Sequence, residues 1–203
     1  MIAIIDYGLG NLNSVFKALE RLGFDTKITG NPKEIDEANA LILPGVGALH
    51  DAMENLKQAN LIDCIKENVK KGKPILGICL GMQLLYEKSF EDGEWEGLGL
   101  LKGEIVKFDE SKFSEKLKVP HMGWNQLVVE KENEILKYVN EGDYVYFVHS
   151  YYADSDFSEV VAYTNYGVKV PAIVAKKNIY GMQFHPEKSG DVGERILKNF
   201  LEL

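Results

Sequence analysis

The stretch Pro74-Ile75-Leu76-Gly77-Ile78-Cys79-Leu80-Gly81-Met82-Gln83-Leu84-Leu85 decides how this chain folds. Pro74-Ile75-Leu76 is apolar and leads through Gly77-Ile78 to Cys79, after which Leu80 to Leu85 reads as a helix. A short buried strand, a tight turn with a cysteine at its tip, and a helix form the thiol version of the nucleophile elbow, Gly-x-Ser-x-Gly. The residue types have a physical reason. The nucleophile sits on strained backbone, and a glycine on either side lets strand and helix approach without side-chain clashes. A cysteine at a helix N-terminus also meets free N–H groups that favour a thiolate. With 2 Cys and 19 Gly in 203 residues, a chance Gly-x-Cys-x-Gly is expected roughly 0.02 times, so coincidence is a weak rival.

Outward from the elbow, the first half of the chain alternates strand-like and helix-like segments. Ala3-Ile4-Ile5-Asp6 reads as a strand ending in a Gly8/Gly10 turn, and Asn13 to Leu22 as a helix stopped by Gly23. Phe24 to Thr29 and Ala40 to Leu43 are further strands, the latter followed by Pro44-Gly45-Val46-Gly47. Helical patterns cover Leu49 to Gln58 and Leu61 to Lys71, and Lys73 to Ile78 is the strand entering the elbow. This alternation predicts an α/β fold, an open, mostly parallel twisted sheet with helices on both faces. The second half is richer in strands: 105–108, 126–129, 144–148, 160–164, 172–175 and 180–184. Mixed or antiparallel additions are therefore expected, before a last amphipathic helix over Val192 to Leu201. Ligands in such a sheet lie at the carboxyl ends of the strands. The Gly8-Gly10, Gly45-Gly47 and elbow turns should therefore gather at one edge.

Composition bounds the function. Hydrophobic residues make up 45%, enough for a core, and no linker-like or low-complexity tract divides residues 1–203, so one domain is expected. The net charge of −8 argues against nucleic acid or an anionic membrane as the main partner. No segment approaches the roughly 18 apolar residues of a membrane span. The N-terminus has no basic region of the signal-peptide kind. Cys64 and Cys79 do not make a disulfide framework, and a cytoplasmic location is expected. Cys64 lies in a helical pattern and reads as structural. No Cys/His cluster has zinc spacing, so neither metal nor cofactor is expected.

A thiol nucleophile needs a base, and the base needs an orienter. Phe184-His185-Pro186-Glu187 supplies both. In extended backbone, residues two apart face the same way, so Glu187 can hold one ring nitrogen of His185 and leave the other for Cys79. His50 falls in the first turn of a helix, His121 in a loop over Pro120 to Asn125, and His149 at the end of a strand, where it can line the pocket. The oxyanion of a tetrahedral intermediate needs N–H donors. Leu80 offers one, and Val46-Gly47 is the natural supplier of another. Gly8-x-Gly10-x-x-Asn13 lacks the third glycine and the ribose-binding acid of a dinucleotide fingerprint, which excludes a nicotinamide or flavin enzyme. The order nucleophile, histidine, acid also differs from the α/β-hydrolases, which place the acid before the histidine. The chemistry read from the residues is thus a different thiol-based acyl transfer.

Gly77 to Gln83 together with Phe184-His185-Pro186-Glu187-Lys188-Ser189 resembles the class I, triad-type glutamine amidotransferases. Three further segments narrow the resemblance: Asp6-Tyr7-Gly8-Leu9-Gly10-Asn11, Pro44 to Gly47, and Pro120-His121-Met122-Gly123-Trp124-Asn125. With them the chain is similar, from end to end, to the glutaminase subunits of histidine biosynthesis. The resemblance implies a flavodoxin-like fold in a single amidotransferase domain. It implies a catalytic triad of Cys79, His185 and Glu187, and glutamine held by Gln83, Ser150 and Tyr151. Val46 and Gly47 fall in a strand that rearranges to complete the oxyanion hole, and Leu49-His50 departs from the Phe-Gly expected after it. Asn11, Trp124 and Lys188 match positions facing the partner. That partner is a (βα)8-barrel cyclase in a heterodimer, which uses the ammonia to make imidazole glycerol phosphate and aminoimidazole carboxamide ribonucleotide. Other readings are a glutaminase for anthranilate or GMP synthesis, a non-catalytic docking subunit, and a cysteine peptidase.

Overall fold

The computed structural model describes residues 1–203. Its first half holds β1 (Ile2–Ile5), α1 (Leu12–Arg21), β2 (Thr26–Thr29), α2 (Pro32–Glu37), β3 (Ala40–Leu43), α3 (Leu49–Gln58), α4 (Ile62–Lys70), β4 (Ile75–Ile78) and α5 (Leu80–Leu84), all but α2 expected from the sequence. The second half holds β5 (Lys88–Ser89), β6 (Trp95–Glu96), β7 (Glu104–Lys107), β8 (His121–Gln126), β9 (Val128–Val129), β10 (Tyr144–His149), β11 (Tyr151–Asp154), β12 (Val160–Tyr166), β13 (Val168–Lys176), β14 (Ile179–Met182) and α6 (Gly190–Leu201).

The main sheet has eight strands in the order β2-β1-β3-β4-β14-β13-β12-β9. The pairs from β2 to β14 are parallel and those from β14 to β9 antiparallel. Every residue of β1, β3 and β4 is buried, the mark of strands covered on both faces. Side chains alternate between two cores. Ala3, Ile5, Leu41, Leu43 and Ile75 join one core with α2, α3, α4 and α5. Ile2, Ile4, Ile42, Leu76 and Ile78 join the other with α1 and α6. No helix is long and apolar enough to cross a membrane.

Two small sheets flank this body. The antiparallel ribbon β8–β10 adds Val145 and Phe147 to the α1/α6 core. The sheet β11-β7-β5-β6 adds Ile105 and Ala153 to the opposite core. The chain from Phe147 to Ala153 therefore passes from one face of the molecule to the other. Several boundaries differ from the sequence reading. Residues 121–126 form a strand rather than a loop, and the expected strand 126–129 is broken at Leu127, whose side chain is buried. Strands expected over 24–29, 73–78 and 180–184 are shorter, as 26–29, 75–78 and 179–182.

Candidate active site

Cys79 stands immediately beyond β4, at φ 55° and ψ −111°. Such backbone strains a non-glycine residue by about 1–3 kcal/mol and persists only where packing enforces it. The enforcement is visible on both sides. A Cβ on Gly77 would lie 2.5 Å from the Gly81 carbonyl oxygen, and one on Gly81 would overlap the Leu43 carbonyl oxygen. The two glycines of the motif are thus required by close approach of α5 to β4 and β3. Gly45 closes the third side, since its Cβ would meet the Tyr7 hydroxyl at 2.7 Å, while that hydroxyl donates to the Pro44 carbonyl at 2.8 Å. The expected gathering of glycine turns at one sheet edge is present.

His185, the expected base, arrives from the neighbouring strand. β14 runs parallel to β4 with Met182 opposite Ile78, and the Cys79 amide donates to the Met182 carbonyl at 2.7 Å. Residues just beyond Met182 therefore emerge beside the thiol. His185 Nδ1 lies 2.8 Å from Glu187 Oε1, with the two side chains 4% and 1% exposed. The geometry differs in one respect from expectation. Residues 186–188 form a 3-10 turn entered at Pro186, not an extended segment, and it is this turn that folds the carboxylate back onto the ring. Ser189 fixes the turn, donating to the His185 carbonyl at 2.6 Å and accepting the Tyr146 amide at 2.9 Å. Burial opposes a charge on His185, but hydrogen bonding and attraction to the Cys79 side chain and the Glu187 carboxylate outweigh it. The pKa is pushed up to about 10.

A cavity of about 440 Å³ opens over the thiol. It brings together Val46, Gly47, Cys79, Leu80, Gln83, Ser150, Tyr151 and His185 from four separate segments of the chain. Val46 and Gly47 form an irregular segment between β3 and α3, not a strand. Gly47 at φ 92° is the residue that turns it. Leu80 opens α5, only five residues long, so its contribution is the local amide rather than a long helix dipole. Gln83 donates to the Tyr151 carbonyl at 3.0 Å and to Gln183 Oε1 at 3.0 Å. Gln183 in turn places Nε2 3.9 Å from Cys79 Sγ.

Gln183 was not singled out in the sequence, because it reads as an ordinary strand residue. Glu91, Pro120, Val148 and His149 also line the cavity. Glu91 sits in an irregular segment with no motif to flag it. Its pKa is raised by burial and by the charges of Asp92 and Asp51, against the Leu49 amide, which bonds it. His121 is buried on β8, stacked between Phe147 and Tyr166 at 4.7 and 3.9 Å. Its Nδ1 is 2.9 Å from His149 Nε2, and His149 Nδ1 is 2.8 Å from the Tyr151 carbonyl. A carbonyl only accepts, so His149 carries its proton on Nδ1 and accepts on Nε2 from His121. His121 Nε2 then accepts from Asn125 at 3.2 Å. Burial keeps both rings neutral, lowering His121 to about 4 and His149 to about 3.

Of the residues expected to face a partner, Trp124 is 55% exposed and Lys188 is exposed, while Asn11 is half-buried and accepts from Ser14 at 2.9 Å. Trp124 packs edge-on to Tyr146, whose carbonyl accepts the His185 amide at 3.0 Å. His50 falls in the first turn of α3, as expected. Cys64 is a free, half-buried thiol on α4. No three His, Cys, Asp or Glu side chains converge as metal ligands.

Comparison with known proteins adds relatives to this geometry. A sequence model of the family described as glutamine amidotransferase class-I matches residues 3–203. The imidazole glycerol phosphate synthase subunit HisH of Caldanaerobacter subterraneus subsp. tengcongensis is 53% identical, covering 100% of this chain and 98% of that one. The protein of the same name from Lactococcus lactis subsp. lactis is 55% identical, over 99% and 98%. Among solved structures, PurLQS from Thermotoga maritima superposes with a TM-score of 0.76 at 23% identity, over 99% of this chain and 97% of that one. That last likeness is one of fold.

Proposed function

We propose that this chain, which belongs to the class-I glutamine amidotransferase family and within it to the HisH subunits of imidazole glycerol phosphate synthase, is the glutaminase of that synthase, acting as one domain. It hydrolyses L-glutamine to L-glutamate and ammonia. The ammonia is delivered to a (βα)8-barrel cyclase subunit that makes imidazole glycerol phosphate and aminoimidazole carboxamide ribonucleotide for L-histidine. The observation that carries the chemistry is that Cys79 and His185 line one cavity of small-molecule size, with Glu187 2.8 Å from the other side of the His185 ring.

The steps follow from the geometry. Glutamine enters with its side-chain amide over Cys79 and its α-amino acid end toward Gln83, Ser150, Tyr151 and Glu91. The carboxylate of Glu91, one oxygen of which accepts the Leu49 amide, suits an α-ammonium. Cys79, as thiolate, attacks the amide carbon, and the oxyanion is met by the Leu80 amide and a donor from Val46-Gly47. His185, an imidazolium held by Glu187, gives its proton to the leaving nitrogen, and ammonia departs from the thioester. The ring, now neutral, takes a proton from water, which attacks the thioester. Glutamate leaves, and His185 is charged again beside the thiolate. Trp124, Lys188 and Asn11 lie on the partner side.

The test is glutamine-dependent release of glutamate and ammonia by the full chain, alone and with a barrel cyclase subunit and its nucleotide ligand. Low activity that rises sharply with both, and falls to background in Cys79→Ala, is expected. Retained activity in Cys79→Ala sinks the mechanism; equal activity with and without the cyclase sinks the partner.

A further inference from the structure

The departure at Leu49-His50 has a structural counterpart outside the proposed triad. α3 begins at Leu49 without a side-chain cap of its own. Its first amide is capped from a distance, by Glu91 Oε2 at 3.2 Å. The main chain of the same glutamate is held by Trp95, whose indole N–H donates to the Glu91 carbonyl at 3.0 Å. Trp95 is stacked on His50, ring centroids 3.8 Å apart and 24° from parallel. Leu49 and His50 are adjacent in sequence, so the four residues close a ring: Leu49 to His50 by the chain, His50 to Trp95 by stacking, Trp95 to Glu91 and Glu91 to Leu49 by hydrogen bonds. Glu91 lines the cavity and is carried on the turn between β5 and β6, an element with little regular structure to hold it. Gly47, the last residue of the oxyanion segment, is two positions before Leu49.

We propose that His50 and Trp95 are positioning residues for substrate selection: their stack fixes the turn that carries Glu91, and so fixes the carboxylate that reads the α-ammonium of glutamine. The proposal rests on the glutaminase reading and goes beyond it, to residues that touch neither substrate nor thiol. An aromatic stack beside a hydrogen bond is the economical way to hold a two-strand turn, because it restricts the turn without occupying the carboxylate. The ring also ties the acid that selects substrate to the start of the helix behind the oxyanion donors.

The experiment measures equilibrium binding of two ligands to the full chain carrying Cys79→Ser, which removes turnover. One ligand is glutamine. The other is 4-carbamoylbutanoate, which keeps the side-chain amide and the carboxylate and has hydrogen in place of the α-amino group. Adding His50→Ala is expected to weaken glutamine about three- to tenfold, the worth of a stacked pair, and to leave 4-carbamoylbutanoate unchanged. His50→Phe, which keeps the stack, should restore glutamine. Equal weakening of both ligands overturns the proposal, since it marks a general structural effect. No weakening, or no rescue by His50→Phe, overturns it as well. Trp95→Leu is read in the same way and carries the test where His50→Ala does not fold. Failure of the Cys79→Ser chain to bind glutamine at all counts instead against the glutaminase reading.

Discussion

His185 and His149 line one cavity and are buried to nearly the same degree, 3% and 7% exposed. Yet the first has its pKa pushed up to about 10 and the second down to about 3. Burial alone disfavours the charged form of both. What separates them is the partner. His185 has a carboxylate on one ring nitrogen and a thiol beside the other. His149 has a carbonyl on one side and a second imidazole on the other; the carbonyl favours a charge, but burial outweighs it and His121 and His185 oppose it further. The cavity thereby holds one ring ready to give a proton and another that keeps its tautomer. The neutral ring fixes the Tyr151 carbonyl, which also accepts from Gln83.

Breaking the charged site should have the largest effect. His185→Asn removes the proton donor, and kcat for glutamine hydrolysis is expected to fall about 10²–10⁴-fold, the usual worth of general acid–base catalysis. A fall of less than about tenfold would mean that the charged ring is not the proton carrier. Breaking the neutral site is a smaller matter. His121→Phe preserves the stack between Phe147 and Tyr166 but leaves His149 Nε2 with no donor. An unsatisfied buried group costs about 1–3 kcal/mol, to be read from urea unfolding at neutral pH. No loss would show that the relay is not fed from His121.

The smallest effect sharpens the contrast through pH. Between about 6.5, where an unfolded histidine titrates, and about 4 to 3, the folded protein refuses protons that the unfolded chain accepts. Stability should therefore fall as the solution is acidified through that window. His185 has the opposite sign. Its contribution is full below 6.5 and is lost as pH rises through about 10. Unfolding free energies measured across pH should show a shallower acid limb in the double variant His121→Phe/His149→Gln, and a shallower alkaline limb in His185→Asn. Limbs unchanged by either substitution would sever charge state from burial partner.

The elbow and the His185–Glu187 pair were legible because each is a local pattern whose spacing meets a steric or hydrogen-bonding need. The parallel strands were legible because burial on both faces leaves unbroken aliphatic runs, as in Ile2–Ile5 and Ala40–Leu43. β8 was misread for a definite reason. Its inward side carries His121, Gly123 and Asn125, while Met122 and Trp124 are 63% and 55% exposed, so the polar–apolar alternation is inverted. α2 was missed although its signal was present: Asn31 caps the Lys33 amide at 3.0 Å and Pro32 takes the first helical position. Only Ile35 of its six residues is buried, too little to make a periodic pattern. The two-residue strands β5 and β6 and the turn carrying Glu91 have no pattern of their own, and their placement comes from tertiary contacts such as the Trp95–His50 stack.

The pairing of β4 with β14 has a consequence for the life of the chain before it is finished. Ile75 meets Ile179, 104 positions further along the chain, so Cys79 and His185 cannot meet until β14 has been made. Pairing between segments this distant is slow to form. A nascent chain that ends before β14 carries Cys79 but lacks the histidine that comes to lie beside it. The cavity wall that His185 supplies is therefore one of the later parts of the fold to be completed.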